Sequence, residues 1–180
     1  MKQTALAVSL LFSATASFVF GASGKLPLAF VKGERIAFVG NTTAERMSLY
    51  GHFETMLHFK HKDKQLVVRN FGFPADEVSQ RQRSADYTKL DDPLYAFNAD
   101  TFLCFFGWNE SFKGKEGVEK FKADYDKFID EYTAKYPRDD AKSPPRFVLV
   151  SPIAFENTGD KFLPDGAKAC AIAGLKPASA

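Results

Sequence analysis

Short apolar runs separated by polar and glycine-rich segments recur along this chain and predict a series of buried strands. Four such runs cover residues 35–39, 65–70, 101–106 and 146–151. Three of them are apolar at nearly consecutive positions, which is typical of parallel strands that are covered on both faces. The pattern therefore predicts a mainly parallel sheet in the interior of the protein.

Two other stretches carry apolar residues at spacings of three and four and predict amphipathic helices. The first helix spans residues 44–60, and the second, with the clearer apolar stripe, spans residues 117–135. Residues 76–98 are polar and rich in aspartate, and their pattern assigns no element. Strands that alternate with helices predict an α/β domain with three layers, α/β/α, around a doubly wound sheet.

The first 23 residues have the pattern of a secretory signal peptide. Lys2 precedes an apolar run, and small residues occupy Gly21 and Ser23. Serine and threonine dilute the run, which is shorter than the roughly 20 apolar residues of a membrane-spanning helix. The sequence predicts cleavage after Ser23, a secreted or periplasmic location and no membrane span in the mature protein.

One domain is expected in the mature chain, over residues 24–162, followed by a tail rich in alanine and lysine at residues 163–180. About 140 residues are enough to form a single hydrophobic core. The small residues of the tail predict either a frayed helix or a disordered segment.

Charge and cysteine content restrict the functions that the chain can have. Lys plus Arg is 24 and Asp plus Glu is 22, a formal net charge of +2, so no electrostatic argument favours a nucleic acid or an anionic membrane as partner. Two cysteines exclude a disulfide framework and a cysteine-rich zinc module. Cys104, inside an apolar run, predicts a buried thiol, and a bridge to Cys170 requires the tail to dock on the sheet.

Neither a nucleotide cofactor nor a metal is expected. The turn after the first predicted strand has one glycine, Gly40, so the Gly-x-Gly-x-x-Gly motif and the lysine-bearing phosphate loop are both missing there. His52 and His58 are six positions apart on one predicted helix, which does not place them side by side as metal ligands.

Polar residues with small neighbours follow three of the predicted strands, at residues 40–43, 70–76 and 107–111. The carboxyl ends of strands are where open α/β sheets bind ligands. Glycine and asparagine at one strand end are more often turn formers, but their recurrence at three ends predicts a ligand-binding cleft. The predicted cleft residues are Gly40, Asn70, Gly72, Gly107, Trp108 and Glu110.

These segments resemble the motif blocks of the SGNH, or GDSL-type, esterases and lipases, over about residues 33–156. The Gly-Asp-Ser block of that family corresponds to Gly40-Asn41-Thr42. The resemblance implies a flavodoxin-like α/β fold and hydrolysis of acyl or acetyl esters, with a small-molecule or carbohydrate ester as the substrate or ligand. It places Thr42 at the position of the nucleophilic serine and Asn41 at that of the aspartate.

The second and third blocks carry the oxyanion hole in the same family. Asn-x-Gly-x-x-Gly-Asp corresponds to residues 70–76, where Ala75 stands at the glycine whose N–H holds the oxyanion. Gly-x-Asn-Asp corresponds to residues 107–110, where Asn109 stands at the oxyanion-hole asparagine. The resemblance therefore implies Ala75 and Asn109 as the two oxyanion donors.

The general base of the family, a histidine in a late Asp-x-x-His block, has no counterpart, because all three histidines precede residue 62. On a straight helix His52 lies about 15 Å from Thr42, far beyond hydrogen-bond reach. Thr42 also carries a methyl group that hinders attack. We therefore expect little or no ester hydrolysis by this chain.

Two interpretations follow. The chain is either a truncated or interrupted secreted ester hydrolase whose sheet lacks its C-terminal strand and helix, or a non-catalytic accessory module that binds a carbohydrate or other ligand in the same cleft. Thr42 and Thr43 also fit the N-cap of the following helix. Trp108 fits either a stacking platform for a sugar or a lid over the core.

Overall fold

The computed structural model describes residues 28–81, 87–138 and 143–153. The predicted signal peptide and the predicted tail lie outside these ranges. Within them the chain forms four strands, which are β1 (Arg35–Gly40), β2 (Val67–Asn70), β3 (Thr101–Phe105) and β4 (Arg146–Leu149).

All four strands are parallel and form one sheet in the order β2-β1-β3-β4. The central strands β1 and β3 are buried at nearly every position, whereas the outer strands β2 and β4 are partly exposed. The predicted parallel sheet is confirmed, and two of its continuous apolar runs form the two central strands.

Five α-helices connect or flank these strands in the described part of the chain. They are α1 (Thr42–Tyr50), α2 (His52–Lys60), α3 (Pro93–Phe97), α4 (Trp108–Ser111) and α5 (Val118–Lys135). A short 3₁₀ turn, Lys115–Gly117, leads into α5. Helix α5 lies where the strongest apolar stripe predicted it.

The single helix predicted over residues 44–60 is wrong, because the chain breaks it at Gly51. Gly51 has φ of +62°, in the left-handed region where a glycine ends a helix at little cost. Its N–H donates to the Met47 carbonyl at 3.1 Å, and its own carbonyl accepts from the Thr55 N–H at 2.9 Å. The same glycine thus ends α1 and begins α2 in a new direction.

Helix α3 lies in the stretch that the hydrophobic pattern did not assign. The buried Asp92 carboxylate accepts from the N–H groups of Leu94 at 2.9 Å and Tyr95 at 3.3 Å, and Pro93 occupies the first turn. An aspartate N-cap followed by proline is a helix-start signal that was available in the sequence.

The side chains of the sheet alternate between two cores. On one face, residues from β1 and β3 pack against α3 and α5, and on the other they pack against α1. Ala37 and Phe102 belong to the first core, and Ile36 and Leu103 to the second. These two cores confirm the three-layer α/β/α architecture. Cys104 is a free, buried thiol in the first core, as predicted, and burial raises the pKa of that thiol.

At the amino ends of the strands, a buried carboxylate fixes β4 to the sheet. Glu34 accepts from the Thr101 hydroxyl at 2.6 Å and from the Val31 N–H at 2.9 Å, and it pairs with the Arg146 guanidinium. The polar groups at this edge are therefore engaged with each other.

Candidate functional site

The turn that follows β1 presents Thr42 at the start of α1. Asn41 is buried, and its side-chain oxygen accepts from the Thr43 N–H at 2.9 Å, which makes it the N-cap of the helix. The N-cap interpretation of Thr42 and Thr43 is therefore wrong. Thr42 is the first helical residue, and its side chain makes no hydrogen bond within the described ranges.

The second motif block packs directly against this turn. Asn70 accepts from the Gly72 N–H at 2.8 Å and donates its amide to the Ala44 carbonyl. A Cβ on Gly72 would lie 2.5 Å from the Ala44 Cβ, so only glycine allows this approach. Asn70 and Gly72 thus hold the loop on the first turn of α1.

Ala75 has φ of +68°, although it carries a side chain. This is the left-handed region that favours glycine, and it is the position where the resembled family has a glycine. Ala75 therefore adopts this conformation at a steric cost of about 1 kcal/mol.

Replacing Ala75 with glycine is expected to raise the free energy of unfolding by up to about 1 kcal/mol, because the strain of the left-handed alanine is removed. Urea denaturation of the purified protein measures this change. Ala123→Gly, on the exposed middle of α5, is the matched control and should lower the same quantity by about 1 kcal/mol. A loss of stability in both variants would show that Ala75 is not strained.

The third block forms the start of α4. The buried Glu110 carboxylate accepts from the Gly107 N–H at 2.9 Å and from the Val78 N–H at 2.7 Å. It therefore links α4 to the loop that carries the second block. Asn109, next to Glu110, is half-buried. Its side-chain amide has no hydrogen-bond partner among the described residues.

A cleft of about 610 Å³ lies between α1, α2 and α4 at the carboxyl edge of the sheet. It brings together four of the predicted site residues, and its described lining consists of Asn41, Thr42, Thr43, Arg46, Met47, Tyr50, His52, Phe53, Trp108, Asn109 and Ile153. We call this space the α1–α4 cavity. Thr42 and Asn109, the predicted nucleophile position and the predicted oxyanion donor, thus line one cavity.

The other predicted site residues lie around this cavity rather than in it. Gly40, Asn70 and Gly72 line a smaller cavity of about 150 Å³. Gly107 and Glu110 line another cavity, of about 260 Å³. The exposed Ala75 is not among the residues that line the α1–α4 cavity. Asn70, Gly72, Gly107 and Glu110 hold the loops of the motif blocks in place through their hydrogen bonds.

One wall of the cavity was not predicted from the sequence. Met47, Tyr50 and Phe53 belong to the apolar stripe of the predicted helix, and such a stripe indicates core packing. In the structure all three line the cavity, and Tyr50 is exposed. Met47 and Tyr50 lie on α1 with the motif residue Thr42, and Phe53 lines the same cavity from α2, after the break at Gly51. That break has a signal in the sequence, a glycine inside a helical pattern.

His52 is the second consequence of the break. The distance of about 15 Å to Thr42 assumed a straight helix, and this premise is wrong. His52 begins α2, lines the same cavity as Thr42, and its ring lies parallel to that of Tyr50, with 6.4 Å between the ring centroids.

No group of three or more histidine, cysteine, aspartate or glutamate side chains is arranged to hold a metal ion within the three described ranges. In the same ranges, no helix has the length and apolar character needed to cross a membrane.

No family model matches this chain, and a search of curated proteins finds no match. Solved structures do match. An acetyl xylan esterase, AlAXEase, has a TM-score of 0.52 and 18% identity, over 78% of this chain and 69% of its own. An acetyl xylan esterase from Geobacillus stearothermophilus has a TM-score of 0.50 and 13% identity, over 73% and 66%.

A gut microbial diltiazem-metabolizing enzyme also matches, with a TM-score of 0.53 and 19% identity, over 81% of this chain and 33% of its own. At these identities the likeness shows the fold. The chain shares the α/β fold of these matched structures and spans about two thirds of the length of the two acetyl xylan esterases.

Proposed function

We propose that this protein is a secreted SGNH-type relative of the carboxylic-ester hydrolases, which binds an acyl or acetyl ester in the α1–α4 cavity and turns it over slowly or not at all. One observation carries the proposal: Thr42 and Asn109, from separate motif blocks and separate strand ends, line one cavity. The fold shared with acetyl xylan esterases supports an ester as the substrate class.

The two residues have complementary roles in this proposal. Thr42 offers a hydroxyl at the amino end of α1, where a nucleophile can approach an ester carbonyl. Asn109 offers an amide N–H that can donate to the oxygen on which charge develops. One such donor stabilises the transition state by about 3–4 kcal/mol, provided that a nucleophile attacks.

Slow turnover follows from how the nucleophile is supported. Asn41 stands where the resembled family has an aspartate, and its side chain caps α1. A threonine hydroxyl without a general base is almost entirely protonated at neutral pH. The extra methyl group of Thr42 further restricts the rotamers from which it can attack.

Turnover of p-nitrophenyl acetate tests the proposal. We expect the rate of the wild-type protein to lie within about twofold of the rate of Thr42→Ala, because an unsupported hydroxyl adds little to background hydrolysis. Thr55→Ala, which removes a hydroxyl on the exposed surface of α2, is the matched control.

A rate that Thr42→Ala abolishes would contradict slow turnover and identify Thr42 as a working nucleophile. If His52→Ala abolished that rate as well, His52 would be its base. The assay therefore separates an inactive hydrolase from one that uses an early histidine.

A second candidate function is a non-catalytic module that binds a carbohydrate in the same cavity. Trp108 and Tyr50 both line it, and aromatic rings of this kind are suited to stacking on the apolar face of a sugar. Trp108 is the single tryptophan of the chain, so its fluorescence reports on this cavity alone. Equal quenching by acetylated and deacetylated xylo-oligosaccharides would favour this candidate, and quenching by the acetylated form alone would favour the ester.

A further inference from the structure

The α1–α4 cavity carries positive charge that its described lining does not compensate. Among those lining residues, Arg46 is a cation, while none is an aspartate or a glutamate. A cavity lined by one sign of charge concentrates ligands of the opposite sign.

Arg46 differs from the arginines that stabilise the fold. Arg35 and Arg138 both lie within 4 Å of the Asp100 carboxylate, and Arg146 pairs with Glu34. Arg46 is exposed on α1 and makes no ion pair, hydrogen bond or aromatic contact within the part of the chain that the structure describes. Its guanidinium has five N–H donors in a planar arrangement that suits a carboxylate.

The position of Arg46 relates it to the proposed nucleophile. Thr42 and Arg46 are four residues apart on α1, so they lie on the same face of the helix, with about 6 Å between their Cβ atoms. A ligand whose ester group meets Thr42 therefore presents a substituent to Arg46 one helical turn further along.

The remaining wall is apolar. Met47, Tyr50 and Phe53 line the cavity next to Arg46, and Tyr50 and Phe53 leave much of their surface exposed to solvent. An apolar or aromatic group that packs on them would remove that surface from water. The cavity thus combines an apolar wall with a cation, Arg46, that pairs with no described residue.

We propose that this cavity selects esters that carry a free carboxylate, of the chemical class of half-esters of short dicarboxylic acids with an apolar alcohol part. Arg46 binds the carboxylate, and the wall formed by Tyr50 and Phe53 holds the apolar part. This inference rests on the proposed function, which places the ester group at Thr42. It adds the class of ester that the cavity prefers.

Two probes that differ only in charge test the inference. Benzyl hydrogen succinate carries the carboxylate, and benzyl succinamate is its neutral amide. Dissociation constants are measured from the fluorescence of Trp108 with the full mature protein. We expect the acid to bind about fivefold more tightly than the amide, and this ratio to fall with added salt, because the pair is solvent-exposed.

Arg46→Gln is expected to reduce the acid-to-amide ratio to about one. Lys60→Gln removes the same charge from α2 at a residue that is not part of the described lining, and it should leave the ratio at its wild-type value. Arg46 is exposed, so its variant should fold, and far-ultraviolet circular dichroism with a melting curve checks this.

Equal binding of the two probes by the wild-type protein would overturn the inference. So would a preference for the acid that survives Arg46→Gln, or the failure of both probes to change the Trp108 emission. The p-nitrophenyl acetate assay is independent of this result, because that ester carries no carboxylate. Failure of the proposed function and failure of the specificity are therefore observed in different experiments.

Discussion

Replacing Gly40 with alanine is expected to lower the free energy of unfolding by about 3 kcal/mol or more. Gly40 ends β1 with φ of +133°, which side-chain-bearing residues rarely adopt. A Cβ at this position would lie 2.3 Å from the Phe105 carbonyl oxygen and 2.7 Å from its carbon. These atoms belong to the backbone of β3 and cannot move without disturbing the centre of the sheet.

Urea denaturation followed by circular dichroism measures this loss. Gly33→Ala is the matched control, because Gly33 also has a positive φ, +78°, but a Cβ added there would meet no described atom within 4 Å. Its expected loss is about 1 kcal/mol, from the backbone strain alone. Similar losses in the two variants would show that the contact with Phe105 contributes nothing.

The second large effect is expected at Asp92. Its Oδ1 caps α3, while its Oδ2 accepts from the Tyr136 hydroxyl at 2.7 Å and from the Lys135 ammonium at 2.8 Å. Asp92→Asn keeps an oxygen for the cap and removes the charge that Lys135 pairs with. We expect a loss of about 2 kcal/mol at pH 7, because the hydrogen bonds to a buried charge are the stronger ones.

This loss should depend on pH in a definite direction. Burial acts to raise the pKa of Asp92, but the hydrogen bonds from Lys135, Tyr136 and the Leu94 N–H outweigh it and hold the pKa below its ordinary value of 3.8. A carboxyl with a lowered folded-state pKa stabilises the protein above its unfolded-state pKa, and this stability disappears as the pH falls through the folded-state pKa.

The difference in unfolding free energy between the wild-type protein and Asp92→Asn should therefore be constant above about pH 5 and shrink below about pH 4. Chemical denaturation at several pH values measures it. Asp91→Asn changes the exposed neighbouring carboxylate and should show a far smaller effect. A difference that grows on acidification would contradict the lowered pKa.

The elements that the hydrophobic pattern predicted well are those whose burial is continuous. Strands β1 and β3 lie between two cores, so the sequence had to be apolar at successive positions there. Helix α5 covers one face and shows the corresponding stripe. The pattern was misleading over residues 44–60, where its period continued through Gly51 although the backbone changes direction.

The residues of the candidate site also separate into those that the sequence predicted and those that it did not. The motif blocks located Thr42, Trp108 and Asn109, because each follows a strand closely and the sheet brings the strand ends together. Arg46 was not predicted, although it lies four residues after Thr42 on the same helix, α1. His52 was not predicted as a cavity residue, because its place there depends on where α2 points after α1. The angle between α1 and α2 is set by the conformation of Gly51 and by tertiary packing, and a periodic pattern encodes neither.

The break at Gly51 also determines how firmly the cavity is closed on one side. Helix α5 buries three of its residues, whereas α2 buries none. Local opening of a helix costs little free energy when few of its contacts are lost, so α2 exchanges with open forms more readily than α5. A molecule that packs on Phe53 supplies contacts that α2 lacks, and its binding free energy becomes part of the stability of that helix.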